Sequence, residues 1–167
     1  MNPIIKTFLI RSGILFLVWI VIYHGFILPN GNINAFLTNT VVHGTVFGLE
    51  TLGYESEGRD EVIYIDNKPS VMVADACNGL ELFALFAGFL IAFPGPIKYK
   101  LIFIPAGLLF IFLLNIIREV ALALNYNYFN ETFELNHKYT YVFVVYIFIF
   151  LMWRYWLKKY SILGSSV

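Results

Sequence analysis

Four long apolar stretches constrain this sequence more than any other feature. They are residues 8–28, 77–93, 101–124 and 139–157. A helix rises about 1.5 Å per residue, so about 20 residues cross a hydrocarbon core of about 30 Å. Only 13% of the residues are charged, about half the share found in soluble domains. We therefore predict an all-α polytopic membrane protein, a single membrane domain over residues 1–167 with four transmembrane helices.

The segment between the first two apolar stretches, residues 29–76, contains two further patterns. Residues 33–52 combine apolar side chains on one helical face with polar interruptions, which predicts an amphipathic helix at the membrane interface or a re-entrant helix. Residues 62–65 and 71–73 are β-branched runs on either side of a turn-rich tetrapeptide, which predicts a short external β-hairpin. The hairpin leads directly to Cys77, the only cysteine in the sequence.

Seven of the 11 basic residues lie on one side of the predicted membrane protein, with no acidic residue among them. The loops at residues 29–76 and 125–138 are acidic overall. Cytoplasmic segments carry an excess of lysine and arginine. We therefore expect a multi-pass protein of the cytoplasmic (inner) membrane, with both termini cytoplasmic and both large loops extracytoplasmic. The basic residues on the cytoplasmic side are Lys6, Arg11, Lys98, Lys100, Arg154, Lys158 and Lys159.

This topology brings three reactive side chains to the outer face. Cys77 opens the second predicted helix, and His137 precedes the fourth. Arg118 lies about 9 Å inside the outer end of the third. An arginine inside a span costs at least about 2.5–3.5 kcal/mol, so it needs a partner or a polar cavity. It forms a structural ion pair with Glu81 or Glu119, or it stabilises negative charge that develops on a substrate. Both hold if Glu81 keeps Arg118 in place.

Each of these residues also has an ordinary interpretation. A lone cysteine is most often a small buried hydrophobe, and a histidine at a membrane interface is common. His24 and His43 are rivals of His137 on geometry alone. The three histidines lack the spacing of zinc ligands, so we expect no metal or cofactor. The net charge is zero, which gives no reason to expect a nucleic-acid partner.

The residues around these positions resemble a known family. Ala-Cys-Asn-Gly-Leu surrounds Cys77, Asn-Ile-Ile-Arg occupies residues 115–118, and His137 precedes the last predicted helix. These motifs, in this order, are similar to those of the exosortase/archaeosortase family of polytopic membrane cysteine transpeptidases. The resemblance implies substrate proteins with a C-terminal sorting motif, a transmembrane helix and a basic tail. It implies cleavage near that signal at the extracytoplasmic face of the lipid bilayer, and transfer to an unidentified acceptor.

The resemblance also implies roles for individual residues. Cys77 is the expected nucleophile and forms a thioester, Arg118 stabilises the transition state, and His137 is the acid and base. The chain departs from the family in having asparagine at position 78, where serine is usual, and about half the helices of many members. The residues expected to support the site are Asn78, Gly79, Glu81 and Asn115.

Two other functions fit the same residues. A purely hydrolytic intramembrane cysteine protease would use the same thiol, and no motif separates it from a transpeptidase. A non-enzymatic membrane scaffold or partner-binding protein would use the pair of Arg118 and Glu81 only to hold its fold together.

Overall fold

A computed structural model describes residues 3–161 of the chain and is mostly helical. A 3-10 turn lies at Asp75–Cys77, and π-helical turns lie at Tyr23–Ile27 and Asn136–Thr140. The α-helices are, in chain order, α1 (Pro3–Ile22), α2 (Leu28–Asn30), α3 (Asn32–Thr51), α4 (Leu80–Ala92), α5 (Ile97–Tyr128), α6 (Asn130–Leu135) and α7 (Tyr141–Tyr160).

Within residues 3–161, three helical segments are long and apolar enough to cross a membrane. They are Pro3–Asn30, Ile97–Tyr128 and Asn130–Tyr160. The remaining predicted span, residues 77–93, is not confirmed. Its helix, α4, has only 13 residues, which reach about 20 Å at about 1.5 Å each, less than a hydrocarbon core of about 30 Å. The chain is thus a membrane protein whose described residues include three candidate spans and one shorter apolar helix.

The helices also continue past their predicted ends. α5 extends the predicted span 101–124 by about one helical turn on each side. The polar segment 125–138, expected to be a loop, contains α6 and part of the second π-helical turn. Asn125 Nδ2 donates a hydrogen bond to Thr132 Oγ1 at 3.0 Å, which ties the end of α5 to α6. Polar composition marks where a chain leaves lipid, and it does not by itself end a helix.

The predicted β-hairpin is confirmed and belongs to a larger sheet. Strands β1 (Ser56–Arg59), β2 (Val62–Ile65) and β3 (Lys68–Met72) form an antiparallel sheet in the order β1-β2-β3. Asp66 and Asn67 connect β2 to β3 with φ angles of 52° and 61°, a conformation that Asp and Asn tolerate better than most residues. Strand β1 escaped prediction because its sequence, Ser-Glu-Gly-Arg, has no β-branched residue.

The chain divides into two compact units. The first comprises the residues up to Asn30, residues 81–111, and the residues from Ile147 onward. The second comprises Gly31–Leu80 and Phe112–Tyr146. Cys77, Arg118 and His137 all belong to the second unit, so one compact part of the chain contains the three reactive side chains.

Aromatic packing and one buried lysine characterise the first unit. Phe89 of α4 stacks on Trp153 of α7, with ring centroids 4.2 Å apart. Lys100 Nζ donates hydrogen bonds to the carbonyl oxygens of Ile91 at 3.1 Å and Phe93 at 2.7 Å. These carbonyls lie at the C-terminal end of α4, where a cation compensates unpaired backbone acceptors. The buried charge of this unit therefore caps a helix.

The core of the second unit joins α3, the sheet and the C-terminal part of α5. Its buried hydrophobic residues are Val41, Val42, Leu49, Ile63, Ile65, Val71, Val73, Leu122 and Ala123. The predicted helix over residues 33–52 is confirmed as α3, but its faces differ from the expectation. Phe36 and Phe47 are exposed, whereas Asn34, Thr38 and Thr45 are buried. The buried face of α3 is thus partly polar.

Two glycines allow α3 to approach α5 closely. A Cβ added at Gly44 would lie 2.5 Å from Ile116 Cδ1, and one added at Gly48 would lie 2.9 Å from Val120 Cγ2. Small residues four positions apart commonly let helices pack backbone to backbone in membrane proteins. Gly44 and Gly48 therefore serve as the contact surface of α3 for α5.

Replacing Gly48 by valine should destabilise the protein by about 1–3 kcal/mol, the usual cost of overpacking. Val120 is β-branched and held in a helix, so it cannot move aside freely. The measurement is the thermal unfolding midpoint in a mild detergent. Gly13→Val is the matched control, since it is also helical and its added Cβ meets nothing within 4 Å. An equal loss of stability in both variants would contradict this packing role.

Candidate functional site

Cys77 lies in a tight connection between the sheet and α4. After β3, the amide of Val73 donates to the carbonyl of Glu61 at 2.8 Å, which keeps the chain against the sheet. The 3-10 turn then ends at Cys77, whose own amide donates to the carbonyl of Ala74 at 2.7 Å. Gly79 has a φ of +89°, a conformation that glycine adopts without steric strain. The chain can therefore turn sharply into α4 just after the cysteine.

The expectation that a helix opens at Cys77 is wrong by three residues, because α4 begins at Leu80. Asn78 and Gly79 form the intervening bend. The favourable end of a helix dipole acts within about one turn of the helix terminus. A dipole at the start of α4 therefore acts mainly near Leu80, and the charge that faces the thiol must come from another source.

Asn78 holds this bend through both ends of its side-chain amide. Its Oδ1 accepts a hydrogen bond from the amide of Leu80 at 3.0 Å. Its Nδ2 donates to Oδ1 of Asn34, on α3, at 3.2 Å. Asn78 is completely buried, so both bonds replace water that the amide would otherwise contact. Asn34 was not among the predicted site residues, and the only signal for it was a polar residue in an apolar stretch.

Arg118 and Asn115 hold Cys77 from the α5 side. Arg118 Nη2 donates a hydrogen bond to Cys77 Sγ at 3.3 Å, and Arg118 Nη1 donates to Asn115 Oδ1 at 3.1 Å. Asn115 Nδ2 donates to the carbonyl oxygen of Cys77 at 2.7 Å. Residues three positions apart share a helix face. One face of α5 thus contacts both the side chain and the backbone of the cysteine.

The buried charge of Arg118 is balanced by its neighbour in sequence. Arg118 is 9% exposed and Glu119 is 1% exposed. Glu119 Oε1 lies 3.5 Å from Arg118 Nη2, a distance that gives charge attraction without a good hydrogen bond. Glu81, the other predicted partner, is exposed, and no ion pair within residues 3–161 involves it. The ion pair of Arg118 is therefore with Glu119.

His137 completes the group from a third segment of the chain. Its Nε2 lies 3.8 Å from Cys77 Sγ, within the range of a hydrogen bond to sulfur. Its ring stacks on Phe133, with centroids 5.6 Å apart and an interplanar angle of 14°. His24 and His43, the rival histidines, are both exposed. The π-helical turn at Asn136–Thr140 thus supplies the imidazole that faces the thiol.

The group combines a half-buried thiol, a guanidinium and an imidazole. A thiolate is the reactive form of cysteine, and a cation beside it stabilises negative charge on the sulfur. An imidazole within reach of a thiol can accept its proton and later return one. Within residues 3–161, no group of three or more potential metal ligands comes together. The side chains themselves are suited to nucleophilic chemistry at a carbonyl.

A family model described as transmembrane exosortase matches residues 4–154. The chain belongs to the transmembrane exosortase family. The match includes all three motif regions and also α1, α3 and most of α7, which carry no recognisable motif of their own. No curated protein and no solved structure gives a significant match. Family membership thus rests on nearly the whole chain of this exosortase and not only on three short motifs.

Removing the guanidinium should make Cys77 less reactive toward a small alkylating reagent. A hydrogen bond from a charged donor contributes about 1.5–3 kcal/mol, and each 1.4 kcal/mol corresponds to about a tenfold change. We expect Arg118→Gln to slow alkylation of Cys77 in isolated membranes by at least about tenfold. Because Cys77 is the only cysteine, labelling reports this thiol alone.

Arg59→Gln is the matched control for that measurement. Arg59 is exposed on β1 and pairs with Glu57 at 2.7 Å, so its removal also breaks an arginine–glutamate pair. We expect the labelling rate of this variant to match that of the unmodified protein. Equal rates for Arg118→Gln and Arg59→Gln would show that the contact of 3.3 Å does not activate the sulfur.

Proposed function

We propose that this exosortase is a membrane cysteine transpeptidase that processes the C-terminal sorting signal of exported proteins. The observation that carries the proposal is the position of one sulfur atom. Cys77 Sγ lies 3.3 Å from Arg118 Nη2 and 3.8 Å from His137 Nε2. These residues come from three separate segments of the chain, and membership of the exosortase family supports the same chemistry.

In the first step, His137 Nε2 accepts the proton of Cys77, and the thiolate attacks a peptide carbonyl of the substrate. Negative charge then develops on the carbonyl oxygen. Preorganised hydrogen-bond donors that face such charge make the largest single contribution to the rate enhancement of many enzymes. The protonated imidazole donates its proton to the leaving amine as the C–N bond breaks. The products are a thioester on Cys77 and the released C-terminal fragment.

In the second step, an acceptor nucleophile attacks the thioester. His137 accepts a proton from the attacking amine, hydroxyl or water, and the C–S bond breaks. The proton returns to the departing sulfur, which restores the thiol. An amine or hydroxyl acceptor gives transpeptidation or ester transfer, and water gives hydrolysis. The chemistry at Cys77 is the same in each case, so the acceptor alone decides the product.

Arg118 is suited to act in both steps because only part of its donor set is engaged. Nη1 is held by Asn115, and Nη2 faces the sulfur. The Nη2 group has two N–H donors, so one can face the sulfur and the other an oxyanion that forms beside the sulfur. A donor that faces the oxyanion favours binding of the transition state over the substrate.

Cys77→Ala should abolish both cleavage and any covalent enzyme–substrate species, because no other thiol is present in the sequence. His137→Ala should slow cleavage by about 10²–10⁴-fold, the usual contribution of a positioned acid–base group. The measurement is co-expression with a protein that ends in a sorting signal, followed by gel shift and mass analysis. His43→Ala is the control, since His43 is exposed on α3.

The outcomes of that experiment separate the competing functions. Continued cleavage by Cys77→Ala would exclude the thioester mechanism. A product that ends in a free carboxylate under every acceptor condition would identify a hydrolase instead of a transpeptidase. An adduct that accumulates in His137→Ala would assign this histidine to the second step only. Normal cleavage by His137→Ala together with loss in His43→Ala would show that the wrong histidine was chosen.

We also propose that the thiol faces the extracytoplasmic side, with both termini in the cytoplasm. The basis is the seven basic residues assigned to the other side. A membrane-impermeant maleimide applied to intact cells should label Cys77. The control is Lys158→Cys in a Cys77→Ala background, which should label only after the membrane is permeabilised. Labelling of Cys77 only after permeabilisation would reverse the orientation.

A further inference from the structure

A buried pair of asparagines links α3 to the nucleophile bend, which Asn78 and Gly79 form directly after Cys77. Asn34 is 2% exposed and lies in the first turn of α3. Its Oδ1 accepts the hydrogen bond from Asn78 Nδ2, across 44 positions of sequence. Asn78 is the residue directly after Cys77. α3 therefore contacts the nucleophile bend through a side-chain hydrogen bond between two fully enclosed amides.

This bond complements the one made from α5. Asn115 holds the carbonyl oxygen of Cys77, whereas Asn34 holds the side chain of the next residue. The two bonds hold the Cys77–Asn78 segment from two different helices, one on each side of it in sequence. A segment held at two points has little freedom to rotate. The distances from Sγ to the guanidinium and to the imidazole then depend on both bonds.

Breaking the asparagine pair costs free energy mainly because Asn78 Nδ2 is left without a partner. Without Asn34, the Nδ2 group of the buried Asn78 would lose its partner, and an unsatisfied buried donor is expensive. Asn78 would have to rotate toward another acceptor. Its Oδ1 is bound to the amide of Leu80, so that rotation would also disturb the bend. Replacing Asn34 would therefore also shift Cys77, which directly precedes this bend.

We propose that Asn34 is a positioning residue, which acts through Asn78 to hold the Cys77 thiol against Arg118 and His137. Its effect on turnover rests on the proposed function, but its effect on the thiol does not. The interaction between Asn34 and Asn78 is the whole of the proposed pathway. The consequence of changing Asn34 must therefore vanish when Asn78 can no longer reach it.

A double-mutant cycle measures that dependence directly. The variants are Asn34→Leu, which removes the acceptor at similar volume, Asn78→Ser, and the two combined. Serine can still accept a hydrogen bond from the amide two residues later, but its shorter side chain cannot span to Asn34. The readout is the rate of Cys77 alkylation by N-ethylmaleimide in isolated membranes. It reports the thiol without requiring any substrate protein.

We expect Asn34→Leu to slow alkylation by at least about fivefold in the otherwise unmodified protein, and by less than about twofold in the Asn78→Ser background, because residues in contact are strongly coupled. An equal effect in both backgrounds would overturn the proposal, as would no effect in either. Thr45→Val is the control for α3 itself. Thr45 is buried, and its hydroxyl bonds to Val41 of the same helix, so this variant should alkylate normally.

Asn34→Asp keeps the proposal testable should Asn34→Leu fail to accumulate in the membrane. Aspartate retains an acceptor oxygen in the same place, so its alkylation rate should stay within about threefold of the unmodified protein. A rate more than about threefold slower than that of the unmodified protein would overturn the proposal. With a processed substrate, kcat should fall in Asn34→Leu and KM should not, since the bound substrate meets a misplaced thiol.

These measurements separate the inference from the proposed function. A coupled alkylation cycle together with continued cleavage by Cys77→Ala would confirm the positioning role and reject the thioester mechanism. An additive cycle together with loss of cleavage in Cys77→Ala would reject the positioning role and support the thioester mechanism.

Discussion

The buried guanidinium of Arg118 is the constraint on which the second unit depends. An arginine inside an apolar helix is expensive unless its donors find partners. Here the partners are the amide of Asn115, the sulfur of Cys77 and the carboxylate of Glu119. The first two lie where the chemistry would occur. The groups that make the arginine tolerable inside the protein are therefore largely the groups that it would serve in catalysis.

The other elements of the second unit hold Cys77, Arg118 and His137 in position. The sheet ends next to the 3-10 turn, so Cys77 follows closely after a structured strand and does not lie in a free loop. α3 packs closely on α5 through Gly44 and Gly48 and supplies Asn34 to the bend. α6 is tied to α5 through Thr132 and Asn125, which fixes the start of the π-helical turn that carries His137. Each reactive side chain is thus held by a separate element.

Sequence reasoning predicted that Cys77, Arg118 and His137 lie close together, because their placement follows from the order of apolar and polar segments. Cys77, Arg118 and His137 fall in one layer once the spans and their direction are assigned. The predicted helix after Cys77 was three residues too long at its start, because hydropathy gives no indication of the bend that Gly79 allows. Sequence reasoning missed α6 and β1, whose polar residues resemble a loop. Asn34 could be noticed only as a polar residue in an apolar stretch, because no sequence pattern indicates its hydrogen bond to a residue 44 positions away.

The single thiol has a consequence for the chemical lifetime of the protein. A half-buried sulfur beside a cation is the kind that peroxides oxidise first, because reactivity follows thiolate character and access. Many redox-active cysteines are rescued when a second cysteine converts the sulfenic acid to a disulfide. This sequence contains no second cysteine. Recovery of an oxidised Cys77 would therefore require a thiol from outside the chain, and further oxidation to the sulfinic acid would be permanent.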